Sequence, residues 1–244
     1  MIEKNNLYEI WIYLQSEPLS WLTLTIGAYI IGDFIYKKFN LFPLFNPVAI
    51  SIIIISSILL ILDIKYERYF SGAQFIHFLL GPVTVALAIP IYKKRQLIQS
   101  YRIPIILSLI AGCSFAIIST YFISIIFIKD SQLILSLLPR NVTAPIAMGI
   151  SEVIGGIPSI TAVITIITGI IGASFGTFIL DWLNISNMPA RGFAIGLASH
   201  GIGTARAMSR DKNAGVFSAL AMGLSGIVTS LLVPIFVKLL FGNI

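Results

Sequence analysis

Long apolar runs alternate with short polar connections along most of this chain. Uninterrupted apolar windows cover residues 19–36, 48–62, 103–128 and 214–240, each near or beyond the roughly 17 to 25 residues that cross a bilayer as a helix. Runs such as 50–62 are apolar on every face, so the in/out alternation of a β-barrel strand is missing. Weaker windows fill the gaps. The pattern predicts eight membrane segments, at 19–36, 46–62, 72–92, 103–128, 139–155, 157–180, 190–208 and 214–240. The fold class expected is therefore all-α, a polytopic helical membrane protein with about eight transmembrane segments.

Composition agrees. The chain is 57% hydrophobic and 11% charged with a mean hydropathy of +0.95, far from the roughly 25% charge of soluble domains. The net charge of +6 raises nucleic acid as a partner, but the basic residues sit in clusters at segment ends. Lys37/Lys38, Lys93/Lys94/Arg95 with Arg102, and Arg210/Lys212 read as topology signals that place three connections in the cytoplasm. The amino terminus is then outside. Residues 1–18 mix Tyr8, Ile10, Trp11 and Tyr13 with acids, which predicts an interfacial amphipathic helix or a frayed tail ahead of one transmembrane domain over 19–244. No basic leader or cleavage site precedes the first apolar run, so no cleaved signal peptide is expected. Cys113 lies inside an apolar window, where packing is its expected role.

Three segments are poor helices by local chemistry, and they hold most of the costly polar groups. Segment three carries Gly81-Pro82 followed by Thr84. Proline removes an amide donor and clashes one turn back, so one half-helix is expected to end there and another to begin. The alternative is a kink that neighbours repair. In segment five, Arg140-Asn141-Val142-Thr143-Ala144-Pro145 offers Asn141 or Thr143 as a cap, with Pro145 early in the next helix. Both polar side chains could also donate hydrogen bonds to a ligand. Glu152 follows as a candidate proton or ion site. Segment seven contains Ser199-His200-Gly201-Ile202-Gly203-Thr204-Ala205-Arg206. Gly201 and Gly203 permit an unwound turn or close backbone approach. An arginine at membrane depth costs roughly 2.5 to 3.5 kcal/mol, so Arg206 should face protein, water or a ligand. Its fork suits a carboxylate or phosphate; snorkelling to the interface is the plain alternative. His200 could carry protons, or be a packed and hydrogen-bonded histidine.

A half-helix that begins inside the bilayer points its positive end there and attracts an anion. Secondary transporters use such breaks, often in internal repeats. A faint echo exists: Gly112-Cys113-Ser114-Phe115 resembles Gly172-Ala173-Ser174-Phe175, and Val83-Thr84 resembles Val142-Thr143. Gly81 and Thr84 also match Gly201 and Thr204, a second offset that leaves the repeat unit open. With two histidines, one cysteine and no Walker loop, no metal, nucleophile or ATP site is expected. The chain is expected to be no enzyme, and no cofactor is implied.

Several strings, PRNVTAPIAMGISEVIGGIPSITAV at 139–163, TGIIGASFG at 168–176 and ARGFAIGLASHGIGTARAM at 190–208, with LLGPVTVALAIPIYKKR at 79–95 and GVFSALAMGLSGIVTSLLVP at 215–234, resemble the LrgB/CidB family of bacterial inner-membrane proteins. That resemblance implies a multi-pass protein of the cytoplasmic membrane. It also implies either of two functions. One is movement of small carboxylates of the glycolate, glycerate, pyruvate and lactate class, as in the related plastidal glycolate/glycerate translocator. The other is antiholin-like modulation of murein hydrolase activity and autolysis with a small LrgA/CidA-type membrane partner. By this analogy Thr84, Asn141, Thr143, His200, Thr204 and Arg206 are the substrate-site candidates, with His200 and Glu152 as coupling candidates. A homo-oligomer is expected, joined through a small-residue face such as Gly169, Gly172 and Gly176.

Overall fold

The computed structural model describes residues 17–39, 42 and 45–242, and every regular element among them is a helix. The interfacial helix expected over residues 1–18 lies, but for its last two residues, outside the described residues. Packing divides the chain into two compact units, residues 1–88 and 89–244.

The first unit holds α1 (Pro18–Lys38), α2 (Pro47–Ile61) and α3 (Tyr66–Ala86). Proline in the first turn starts α1 and α2, and the Asn46 side chain caps α2 by accepting from Val48 N at 2.9 Å. Small residues set the packing. Gly32 of α1 lies against the Pro47 backbone, and Gly72 of α3 lies against Pro18 and Trp21. Trp21 meets the Tyr69 ring edge-on at 6.2 Å, and Thr25 shares a hydrogen bond of 3.1 Å with the Tyr69 hydroxyl. The break expected at Gly81 and Pro82 is absent, because α3 runs through both. Proline removes one bond to the carbonyl four residues back, and a membrane helix tolerates that single loss. After a turn at Leu87 comes α4 (Ala88–Lys93), and residues 66–93 together are long and apolar enough to cross a bilayer.

The second unit continues with α5 (Arg95–Ser100), α6 (Arg102–Phe127), α7 (Ser131–Leu137), α8 (Ala144–Val153), α9 (Pro158–Trp182), α10 (Met188–Arg210) and α11 (Lys212–Phe241). Three of these, α6, α9 and α11, have the length and hydropathy of membrane spans. Their directions follow from their contacts. Ile105 and Leu109 of α6 pack with Phe217 and Ala221 of α11, whereas Ile117 packs further on with Val233 and Val237. The two helices are therefore parallel. The first half of α10 runs the same way as α11, since Gly192 abuts Ala214 and Gly196 abuts Ser218. Against that half α9 is reversed: Gly176 meets Ile195, and Gly172 meets Ser199. Large apolar side chains such as Phe115, Phe127, Phe178 and Leu239 stay exposed around this bundle, as expected of a surface that faces lipid.

Between these spans the chain turns back on itself twice. Segments five and seven are re-entrant hairpins rather than crossings. Each enters the bundle and leaves by the end it came from. One follows α6 and the other follows α9, and because those helices are antiparallel the hairpins enter from opposite ends. A span followed by a hairpin thus occurs twice, in opposite orientations, with α11 after the second. Cys113 and Ala173 occupy equivalent places, 27 residues ahead of the turn residues Arg140 and His200 respectively.

Candidate functional site

The first hairpin is built by side-chain capping and hydroxyl bonds. Asp130 caps α7 by accepting from Gln132 N at 2.8 Å and Leu133 N at 3.1 Å. Tight turns then carry the chain from Leu138 to Val142, and Thr143, in extended backbone, starts α8 with Pro145 in its first turn. Pro145 is therefore a helix start, as expected, rather than a kink. Gly155, at φ 81°, ends the return leg, and Gly156 packs on Ser136 and Ser151. Ile157 N donates to Ser136 Oγ at 2.7 Å, and Thr161 Oγ1 bonds both Ser136 O (2.8 Å) and Ser151 Oγ (2.7 Å). Those bonds close the hairpin at its base.

The second hairpin reverses at one residue. His200 has φ 41° and ψ −130°, a conformation that a side-chain-bearing residue rarely adopts and that costs of order 1–3 kcal/mol unless its surroundings hold it. They do: His200 Nε2 lies 2.9 Å from Thr165 O, and Thr204 Oγ1 donates to His200 O at 2.7 Å. A carbonyl can only accept, so Nε2 carries the proton. Beyond the reversal, Gly203 lies against Ser199 and Ile195 of the incoming leg. In a straight helix residues eight apart are separated by about 12 Å along the axis. Gly201, next to the reversal, approaches Met222, and Gly169 makes room for the His200 ring.

Helix α11 is the wall on which both tips rest. Its buried face carries Ser218, Met222, Ser225 and Thr229. Thr204 Oγ1 of the second hairpin shares a 3.0 Å bond with Ser218 Oγ and approaches Met222. On the other side Asn141 Nδ2 donates to Thr229 Oγ1 at 3.3 Å, and Ile146 reaches Gly226. The tips thus meet this 30-residue helix around its middle, between Met222 and Thr229, a rise of about 10 Å. Arg140 is tied sideways, its Nε donating to Thr120 Oγ1 of α6 at 2.9 Å.

Three buried polar atoms at these tips have no hydrogen-bond partner among the described residues: Asn141 Oδ1, Ser199 Oγ and Thr165 Oγ1. Leaving such groups unmatched costs about 1–3 kcal/mol each, and native proteins rarely keep them without water, an ion or a ligand. Two helix amino ends, those of α8 and of the outgoing leg of α10, point toward the same level. Ser199 Oγ faces Gly172 of α9, and Asn141 stands against Thr229 of α11.

The sequence candidates separate into groups. Asn141 and Thr143 stand at the first tip, His200 and Thr204 at the second. Thr84 belongs to the first unit, exposed on unbroken α3, so the half-helix end expected to present it does not exist. Glu152 is exposed near the outer end of α8. Arg206 does not extend its fork into the space at the tips. Its Nη1 donates to the carbonyls of Ala173 and Ser174 on α9, which is how a partly buried guanidinium is satisfied. The glycine face expected to join subunits is covered by this chain's own hairpin: Gly169 lies on His200, Gly172 on Ser199 and Gly176 on Ile195. Ser199 and Thr165 were no candidates in the sequence, where a hydroxyl in an apolar run is indistinguishable from one bonded to its own helix.

Fold and tips together define a multi-pass helical membrane protein with paired re-entrant hairpins. The chain belongs to the LrgB-like family, whose sequence model matches residues 25–239. It is 33% identical over 229 residues to the holin-like protein CidB of Staphylococcus epidermidis, covering 94% of this chain and 99% of that one. Against the antiholin-like protein LrgB of Bacillus subtilis it is 32% identical over 225 residues, 92% of this chain and 97% of the relative. The uncharacterized protein YxaC of the same bacterium is 36% identical over 218 residues, 89% and 94% of the two chains. No solved structure matches the chain.

Proposed function

We propose that this protein works in a holin/antiholin-like membrane system and that its own part there is to move a small carboxylate across the bacterial cytoplasmic membrane. The family names support the first half of this reading. The second half rests on one observation: two hairpins from opposite ends bring helix amino ends and unmatched polar atoms to one level of α11. A solute held between opposed tips reaches one side or the other as a hairpin withdraws, the arrangement used for alternating access. Asn141 and Ser199 supply hydrogen bonds, and the α8 amino end supplies positive potential. His200 is a positioning residue that fixes the second tip.

The competing reading is a modulator of murein hydrolase activity that acts through a small LrgA/CidA-type partner and moves no solute. The relatives' names favour it directly, and it gives the unmatched polar atoms no role. Uptake of labelled glycolate, glycerate, pyruvate and lactate by proteoliposomes containing only this chain separates the two. Carboxylate-dependent uptake that falls at least roughly tenfold in Asn141→Ala, as expected on losing a polar contact to a charged solute, supports transport. Absence of uptake from the pure chain, with autolysis still responding to its deletion in cells, supports the modulator.

A further inference from the structure

Away from the tips, the second hairpin is open at its base, and the opening is basic. A cavity of about 120 Å³ lies between its legs, lined by Met188, Arg191 and Ile195 on the incoming leg and by Arg206, Ala207 and Arg210 on the outgoing one. Thr177, Asp211 and Ala214 complete the wall. That is room for several waters or one tetrahedral oxyanion. On an unbroken helix Arg191 and Arg206 would stand about 22 Å apart, so the reversal at His200 is what brings the guanidiniums together.

Two of the three are held in place. Arg191 donates from Nη1 to Ile185 O at 2.7 Å and from Nη2 to Asp181 Oδ1 at 2.5 Å, and its side chain is only 12% exposed. Arg206 is seated on the α9 carbonyls of Ala173 and Ser174. Arg210 is exposed and has no protein partner among the described residues. Two carboxylates belong to the same neighbourhood. Asp181 is taken by Arg191, and Asp211 accepts from Ala214 N at 2.8 Å as the cap of α11. Three guanidiniums thus share a neighbourhood with two carboxylates that already have partners.

We propose that this base is a binding site for a tetrahedral phosphate-type oxyanion, free in solution or carried on a lipid headgroup, which ties the two hairpin legs together. A carboxylate fills one guanidinium fork; a phosphate group has oxygens enough for Arg191 on one leg and Arg206 and Arg210 on the other. The occupied site holds the hairpin closed at its base while leaving the tips free for their own solute. It stands independently of the transport reading, since it uses none of the tip residues.

The test uses the full chain in uncharged detergent and in nanodiscs. Inorganic phosphate is expected to raise the melting temperature above that in sodium chloride of matched ionic strength, because a ligand that binds only the folded form stabilises it. Phosphatidylglycerol nanodiscs should do the same relative to phosphatidylcholine if the source is a headgroup; protection by lipid alone identifies that source, and protection by phosphate identifies a soluble anion. Arg210→Gln, an exposed position, should weaken the effect roughly fivefold or more by removing one charge-assisted donor group. Amide hydrogen exchange on the unaltered chain should slow in residues 188–210, which keeps the proposal testable if the variant fails to fold. No protection from either source, equal protection in Arg210→Gln, or slowing confined to residues outside 188–210 would overturn it.

Discussion

The two hairpins serve one architecture with opposite means. The first is closed by side chains: Ser136, Ser151 and Thr161 bond across its base, and its tip is tethered by Arg140 to α6 and by Asn141 to α11. The second packs mainly through small residues. Gly192 and Gly196 let its incoming leg touch the α11 backbone, Gly203 lets its legs touch each other, and Gly169 and Gly172 seat it on α9. Hydroxyl bonds can be exchanged for water one at a time, whereas backbone contact at glycine is lost all at once.

That contrast predicts a graded set of effects. Gly196→Leu drives a side chain into the Ser218 backbone, which has no freedom to yield, and should destabilise by about 3 kcal/mol or more, read as loss of folded protein on size exclusion. Thr161→Val keeps shape but strands the buried Ser136 carbonyl and Ser151 hydroxyl. It should cost about 2 kcal/mol, seen as a lower melting temperature with faster proteolysis near residues 131–157. Ser199→Ala removes a hydroxyl that has no hydrogen-bond partner among the described residues and should raise stability by up to about 1 kcal/mol while lowering uptake. Destabilisation with unchanged uptake would mean that Ser199 only packs. Smallest of all, Gly149→Ala in the first hairpin meets open space and should stabilise by about 0.5 kcal/mol or change nothing. A loss there comparable to that of Gly196→Leu would erase the contrast.

Much of this architecture was written in local chemistry. Gly and Pro beside polar residues marked both turns, because a chain that abandons helix in an apolar setting needs residues that permit it and groups that bond the freed backbone. The same rule misled at Gly81-Pro82, where one missing amide is cheap and the helix continues. Re-entry was not legible, since a hairpin with short legs and a single crossing have the same length of apolar sequence. Contacts between the legs, such as that of Gly203 with Ile195, tell them apart. The cost of Arg206 in lipid predicts a ligand grip or a snorkelling residue, and the structure seats its Nη1 on the α9 carbonyls of Ala173 and Ser174, away from the tips. The glycines of α9 were read as a subunit face, because sequence cannot say whether a close partner is another chain or the same one. Cys113 and Ala173 stand equally far ahead of the two hairpin turns, whereas Val83-Thr84 lies on a continuous helix and Val142-Thr143 in a hairpin.

Side-specific thiol labelling tests the opposed hairpins most directly. In a Cys113→Ser background, single cysteines at Lys129 and Glu152 flank the first hairpin, and those at Ser186 and Ser209 flank the second; all four positions are exposed. An impermeant reagent added to one face of sealed vesicles should label Lys129→Cys and Glu152→Cys together, and Ser186→Cys and Ser209→Cys together from the other face. Labelling of either pair from opposite faces would make that segment a crossing and contradict the account.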